Sequence, residues 1–348
     1  MSIWKGNTLS SLMYEEALSA ADAVAAQHMY ADEGLAVLGR ELATTPPTLA
    51  LTVARGSSDH AASYFAYLAM QRLGVPVVSL PMSLVTLHHA PLAVKGQLAV
   101  ALSQSGQSPD LIDTMSRLAA AGARTVALVN KHESPLAAAC EWSLPLCAGE
   151  EKSVAATKSY IASLSAVARL VAHWQGDATL LQALDQLPAQ LQQACRQDWS
   201  AALPVLAGAE RIMVVGRGLG FAVALEAALK FKETCAIQAE AFSGAEIKHG
   251  PMALIDEGYP LLVFAPRGPE QQGLIDLAAE MRGRGARVLL AAPDTVASRD
   301  LTLSVADDEA LDPLLAIQSF YLMAAQLSEA RGLNPDTPRH LSKVTRTH

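Results

Sequence analysis

Two stretches of this chain carry the same landmarks in the same order. In the first, an apolar run over 49–54 leads into Arg55-Gly56, and Gly122-Ala123-Arg124 leads into a second run over 125–129. In the other, a run over 211–215 leads into Arg217-Gly218, and Gly285-Ala286-Arg287 leads into 288–292. The two intervals differ by one residue. Matched order at matched spacing predicts two copies of one unit. Within each copy, short apolar runs alternate with longer segments of helical spacing, which predicts βαβ units and a parallel sheet. The expected class is α/β: two tandem doubly wound parallel-sheet domains behind an N-terminal helical segment.

The length of 348 residues suits two domains, and a 51% hydrophobic, 17% charged composition can fill two cores. The expected divisions are an N-terminal helical segment (1–45), a first domain (46–175), a helical linker (176–200), a second domain (201–330) and a C-terminal tail (331–348). Over 8–42 the spacing predicts one or two helices, with Asp32-Glu33-Gly34 as the break. A net charge of −8 argues against a nucleic-acid surface. Cys140, Cys147, Cys195 and Cys235 form no C-x-x-C pair and read as core thiols of a reducing compartment. His88-His89 are adjacent and poorly placed as a ligand pair, so no metal is expected. Neither an apolar leader core after Met1 nor a membrane-length apolar run is present. The expectation is a cytoplasmic protein that binds neither membrane nor nucleic acid.

Chemistry concentrates first in Ser103-Gln104-Ser105-Gly106-Gln107-Ser108, between an apolar run over 98–102 and a helix opened by Pro109. Ser108 suits an N-cap and Pro109 the first helical position. Free N–H groups at such a helix start favour an anion. The dipole contributes only about 0.3–1 kcal/mol at an exposed site. A phosphate therefore needs several donors together, and Ser103, Ser105 and Ser108 can supply them. The bland alternative is a solvated polar loop, and the turn lacks the lysine of a nucleotide P-loop. Asp110 must turn its charge away from any anion. The second copy carries Pro266-Arg267-Gly268-Pro269 at the matching place, so the first copy is expected to hold the anion. Ser58, after the first strand, can add a donor, although helix capping accounts equally well for Ser57 and Ser58.

The second copy holds the acid–base candidates. Glu226, Lys230 and Glu233 are spaced four and three apart in a helical run, for which surface ion pairing is the plain reading. His249-Gly250-Pro251 forms a turn, and a loop histidine is more often structural than catalytic.

Taken together, these residues resemble the sugar isomerase (SIS) family. Its phosphosugar-binding fold occurs twice in the isomerase half of glucosamine-fructose-6-phosphate aminotransferase. The pieces that carry the resemblance are Gly56-Ser57-Ser58, Leu102-Ser103-Gln104-Ser105-Gly106, Val154-Ala155-Ala156-Thr157-Lys158, Leu225-Glu226-Ala227-Ala228-Leu229-Lys230, Glu246-Ile247-Lys248-His249-Gly250-Pro251 and Pro338-Arg339-His340-Leu341. By resemblance, Ser58, Ser103, Gln104, Ser105, Ser108 and the Val154 backbone contact a phosphosugar. Glu233 moves a proton between C1 and C2, with Lys230 in support. His249 helps open the ring, from a second subunit of a homodimer in this family. Lys343 contacts the sugar carbonyl region from a tail that closes over the site. The chain departs from the aminotransferase at Gln107-Ser108, where that family has Glu-Thr, and in the tail at Val344-Thr345-Arg346.

The aminotransferase begins with a glutaminase domain and a cysteine nucleophile, whereas the first cysteine here is Cys140. The expectation is a chain that does not take ammonia from glutamine by that route. Arg55-Gly56-Ser57-Ser58-Asp59-His60 and the stretch 149–160 look like stand-alone glucosamine-6-phosphate deaminases of SIS type. The resemblance thus implies conversion of a phosphorylated amino sugar to fructose 6-phosphate and ammonium, without cofactor. A deglycase, a galactosamine-6-phosphate deaminase, a plain phosphosugar isomerase and a non-catalytic sugar-phosphate sensor are the alternatives.

Overall fold

The computed structural model describes residues 10–343. Five strands, β1 (Ala50–Val53), β2 (Val77–Ser79), β3 (Leu98–Ser103), β4 (Arg124–Val129) and β5 (Trp142–Pro145), form a parallel sheet in the order β2-β1-β3-β4-β5. Five more, β6 (Arg211–Gly216), β7 (Gln238–Ser243), β8 (Pro260–Phe264), β9 (Arg287–Pro293) and β10 (Leu301–Leu303), form a second in the order β10-β9-β8-β6-β7. Read from its other edge, the second sheet repeats the first.

The repetition extends to the turns. Gly56 and Gly218 begin equivalent helices at φ 55°, ψ −133° and φ 57°, ψ −135°, a region open to glycine alone. The Gly96 N–H bonds the Gly122 carbonyl at 2.8 Å, and the Gly258 N–H bonds the Gly285 carbonyl at 2.8 Å. Strands β1, β3, β4, β6, β8 and β9 lie where the apolar runs predict them. Strands β5, β7 and β10 were not anticipated. They are edge strands, and β5 and β7 are largely half-exposed, so neither has the continuous apolar run that marks an interior parallel strand.

Among the described residues thirteen α-helices fill the connections: α1 (Leu12–Leu18), α2 (Ala20–Tyr30), α3 (Asp32–Thr44), α4 (Ser57–Leu73), α5 (Met82–Thr86), α6 (Pro109–Ala120), α7 (Pro135–Ala138), α8 (Lys158–Gln175), α9 (Ala178–Ala194), α10 (Leu203–Leu206), α11 (Leu219–Cys235), α12 (Gln271–Gly283) and α13 (Asp312–Ala330). Helices α8 and α13 are buried on nearly every face. One continuous core joins them to α1–α4, α9, α11 and the inner faces of both sheets, while each sheet's outer face has its own smaller cluster. The described part of the N-terminal segment holds three helices rather than one or two. Its second break falls at Ala31, and Asp32 and Glu33 open α3, where the helix dipole favours their charge. Asp32 binds the buried Arg169 and His173 of α8, each at 2.9 Å. Cys235 is buried and the other three cysteines are half-buried, so only one is a core thiol in full. Among the described residues no cluster could hold a metal ion and no helix is long and apolar enough to cross a membrane.

The tail through Lys343 is packed. The Asp336 carboxylate accepts from the Leu12 and Met13 N–H groups at 2.9 and 2.7 Å, capping α1. The Asp336 carbonyl accepts from the Val154 N–H at 3.0 Å. The stretch after Met1 and the Val344-Thr345-Arg346 departure lie outside the described residues.

Helices α3 and α8 meet closely at Gly39, where a Cβ would stand 2.7 Å from His173 Cβ and 2.8 Å from the Trp174 backbone nitrogen. Alanine normally stabilises a helix interior by about 1 kcal/mol over glycine. Here Gly39→Ala is expected to destabilise by about 1–3 kcal/mol through overpacking, read as a lower urea midpoint. An unchanged or raised midpoint would contradict the close packing.

Candidate active site

The serine-rich turn sits at the C-terminal end of β3, beside β1, where parallel sheets bind ligands. Ser103 Oγ accepts from the Gly106 N–H at 3.0 Å, and Ser105 Oγ from the Gln107 N–H at 3.3 Å. Both hydroxyl protons remain available to a ligand. Gly106 has φ 62°, and a Cβ there would lie 2.2 Å from Ser134 Oγ, so only glycine fits. Ser108 occupies the N-cap of α6 with Pro109 next, but its hydroxyl makes no capping bond. Asp110 is buried and its charge is met by Arg55, whose Nε and Nη2 lie 3.1 and 3.0 Å from one carboxylate oxygen. Its charge is thus balanced from within the chain.

Helix α4 starts at Ser57, with Gly56 as N-cap. Ser58 is half-buried in its first turn. Nothing lies within 4 Å of where a Cβ on Gly56 would stand, which leaves open space above this turn.

Glu226 and Lys230 do not form a surface ion pair. Glu226 and Lys230 of α11 are both 0% exposed. Glu226 Oε1 accepts from Ser57 Oγ at 3.1 Å and Tyr321 Oη at 2.9 Å, and Oε2 lies 2.9 Å from His60 Nδ1. Lys230 Nζ lies 3.3 Å from Glu226 Oε1, donates to Ser57 Oγ at 3.2 Å and binds Glu233 Oε2. Burial alone would push the Glu226 carboxyl up, but the Lys230 ammonium and the His60 and Tyr321 hydrogen bonds hold it below its ordinary 4.5. Burial would likewise lower Lys230, but Glu226 and Glu233 hold it above its ordinary 10.5. Glu233, with a side chain 21% exposed, is the member of the triad that reaches the surface.

A cavity of about 520 Å³ at the rim of the first sheet is lined by Gln104, Lys131, Glu151 and Lys343 among others. Lys343 Nζ donates to Glu151 Oε2 at 3.0 Å and to the Ser153 carbonyl at 2.7 Å. Glu151 also accepts from Thr157 N, Ser159 N and Ser159 Oγ at 2.9, 3.2 and 2.7 Å, which fixes the loop that carries Val154. The Val154 N–H is committed to Asp336, so a ligand contact from this backbone must use the carbonyl. His249 ends an exposed turn (Glu246–His249), and no hydrogen bond or ion pair among the described residues joins it to Glu233 or Lys230.

Sequence reasoning singled out the stretch 55–60 as a whole but not the separate roles of Ser57 and His60. The stretch 149–160 was likewise marked as a whole without the contacts of Glu151, and nothing pointed to Tyr321, whose partner Glu226 lies 95 residues away in the chain.

The SIS domain family model matches residues 49–172 and 205–323. The glutamine–fructose-6-phosphate aminotransferase [isomerizing] of Methanothermobacter thermautotrophicus is 32% identical over 302 residues, which covers 84% of this chain and 50% of that protein. The enzyme of the same name from Symbiobacterium thermophilum is 34% identical over 308 residues, with the same coverage. The chain thus spans about half the length of these curated relatives. A solved candidate phosphosugar isomerase from Silicibacter pomeroyi DSS-3 superposes with a TM-score of 0.89 at 37% identity, covering 94% of this chain and 100% of that one. Glucosamine-6-phosphate deaminase from Thermotoga maritima shares the fold, with a TM-score of 0.79 at 23% identity over 97% of this chain and 100% of that one. Two doubly wound units with a serine-rich turn in the first define a phosphosugar-isomerase fold. The chain belongs to the SIS domain family.

Removing one partner of a buried ion pair typically costs about 3–5 kcal/mol, and Glu226→Gln is expected to fall in that range by chemical denaturation. The sign with pH follows from both shifts. The Glu226 contribution is present above pH 4.5 and is lost as pH falls through its lower folded value. The Lys230 contribution is present below pH 10.5 and is lost only as pH rises through its higher folded value. Wild-type stability minus that of Glu226→Gln should be flat at neutral pH and shrink in acid. A difference that grows in acid would contradict this.

Proposed function

We propose that this chain deaminates and isomerises glucosamine 6-phosphate to fructose 6-phosphate and ammonium. The observation that carries the reading is the Lys230–Glu233 pair, held through Ser57 against the helix that opens beside the serine-rich turn. A carboxylate with a fixed cation beside it, next to an anion cradle, suits proton transfer along a phosphate-anchored chain.

The phosphate accepts hydrogen bonds from the hydroxyls of Ser103, Ser105 and Ser108, because at the start of α6 Pro109 has no N–H and the Leu111 N–H is bonded to Asp110. His249 assists ring opening. Its exposure, and its lack of a hydrogen-bond or ion-pair partner among the described residues, favour a homodimer in which it serves the neighbouring site. Glu233 takes the proton from C2 of the open aldehyde, giving an enolamine, and a proton is returned at C1. The C2 iminium so formed adds water and releases ammonium, which leaves the ketose. Ser58 and Gln104 hold the sugar hydroxyls, and the Val154 carbonyl and Lys343 close the far side. A phosphosugar isomerase that leaves nitrogen untouched is the second reading, favoured by the 37% identity to the Silicibacter pomeroyi protein.

Purified protein given glucosamine 6-phosphate should yield ammonium and fructose 6-phosphate in equal amounts. Interconversion of nitrogen-free phosphosugars without ammonium would support the second reading instead. Glu233→Gln is expected to lower turnover by about 10²–10⁴-fold while the sugar phosphate still binds. Turnover within a few-fold of wild type would remove Glu233 from this role.

A further inference from the structure

Ser57 and His60 stand in the first turn of α4, and the His60 N–H bonds the Gly56 carbonyl at 3.2 Å. Both side chains meet one carboxylate of the second unit, Ser57 at Glu226 Oε1 and His60 at Oε2. The second copy has no counterpart to this pair. Counted from Gly218 as from Gly56, the matching positions hold Leu219 and Ala222. The pair therefore belongs to the crevice that carries the serine-rich turn.

A charged Glu226 carboxylate only accepts hydrogen bonds, so the hydrogen in the 2.9 Å contact is on His60 Nδ1. That bond fixes the tautomer and the orientation of the ring. Glu226 is fully buried, whereas the His60 side chain is 17% exposed. The exposed edge of the ring is the one turned away from Glu226, which carries Nε2. Among the described residues Nε2 has no hydrogen-bond or ion-pair partner. An imidazole with one nitrogen tied to a buried carboxylate and the other open is oriented for acid–base work. The same network leads through Ser57 to Lys230 and on to Glu233. Ser58 lies in the same helical turn.

The proposed reaction has a vacancy for such a group. Glu233 moves the carbon-bound proton and His249 assists ring opening, which leaves the proton transfers of C–N cleavage without an owner. We infer that His60, through Nε2, is the acid–base group of the nitrogen-releasing step. Nε2 takes a proton from the water whose oxygen bonds to C2 of the iminium, giving a carbinolamine. It then gives that proton to the amine nitrogen. The C2–N bond breaks with its electron pair going to nitrogen, while an oxygen lone pair forms the C2 carbonyl. The hydroxyl proton passes by way of Nε2 to the departing ammonia, which leaves as ammonium. Water thus supplies the ketose oxygen and both protons that ammonium gains. This role rests on the deaminase reading; the orientation of the ring does not.

The test separates C–H cleavage from C–N cleavage. Wild type, His60→Asn and Glu233→Gln are each given glucosamine 6-phosphate in deuterium oxide. Loss of the C2 hydrogen is followed by proton NMR and ammonium is assayed in the same sample. Asparagine sets its Nδ2 where histidine has Nδ1, so His60→Asn keeps the bond to Glu226 and removes only the Nε2 function. In His60→Asn, ammonium release is expected to fall by about 10²–10⁴-fold while the C2 hydrogen is still lost within about tenfold of the wild-type rate. Deuterium then accumulates at C2 of unreacted sugar. Glu233→Gln should slow both signals together. Ammonium release from His60→Asn within a few-fold of wild type overturns the role of His60. Loss of both signals in step, in His60→Asn and in His60→Gln alike, also overturns it, because the ring would then serve only to hold Glu226. Wild-type chain that loses the C2 hydrogen without releasing ammonium sinks the deaminase reading and this role with it. Normal wild-type release with near-normal release from His60→Asn sinks the role of His60 alone.

Discussion

The Glu226 carboxylate is the contact on which the arrangement of this molecule depends. It is fully buried, yet held in its charged form by partners from three helices: Ser57 and His60 of α4, Lys230 of α11 and Tyr321 of α13. A lone carboxylate in that place would be strongly disfavoured. Each partner is therefore obligatory for the others, and the two duplicated units are joined through a polar knot set within the shared apolar core. The functional consequence lies one turn along α11. Lys230, fixed from below by Glu226 and Ser57, presents its charge to Glu233, the member of the series that reaches the surface. Buried ion pairs often add little net stability. This one fixes geometry, placing Lys230 and Glu233 of the second unit against the helix that opens beside the serine-rich turn of the first.

The opposite wall is assembled by a second set of long-range contacts. Glu16 of α1 binds the Lys152 and Ser153 N–H groups, Asp336 caps α1 while its carbonyl takes the Val154 N–H, and Lys343 returns to Glu151 and Ser153. N-terminal helix, central loop and C-terminal tail thereby hold one another. Duplication supplies two similar crevices, and divergence supplies their difference. Hydroxyls and an arginine balanced by Asp110 mark one, while arginines and carboxylates, Arg217, Arg267, Glu270 and Glu309, line the other.

Much of this was legible from the residues alone, for identifiable reasons. Interior strands such as β3 and β8 are continuous apolar runs because both faces are covered. The serine-rich turn was readable because its donors are consecutive in the chain, and the duplication because glycines at positive φ recur at fixed places. The edge strands β5, β7 and β10 escaped because an edge strand need not be apolar. Spacing alone presented Glu226, Lys230 and Glu233 as a surface ladder; the resemblance assigned Glu233 and Lys230 their roles, but burial and the tie to His60 and Tyr321 emerge only in three dimensions. The hydrogen-bond partners of Glu226 lie as far as 169 residues away, and no local pattern encodes such a contact.

The most direct measurement is a crystal structure of the Glu233→Gln variant with glucosamine 6-phosphate bound in the first crevice. The account predicts the phosphate among the hydroxyls of Ser103, Ser105 and Ser108 at the start of α6, with C1 and C2 of the sugar within hydrogen-bonding reach of the side chain at position 233. A phosphate bound elsewhere, or a sugar whose C1 and C2 face away from that side chain, would contradict it.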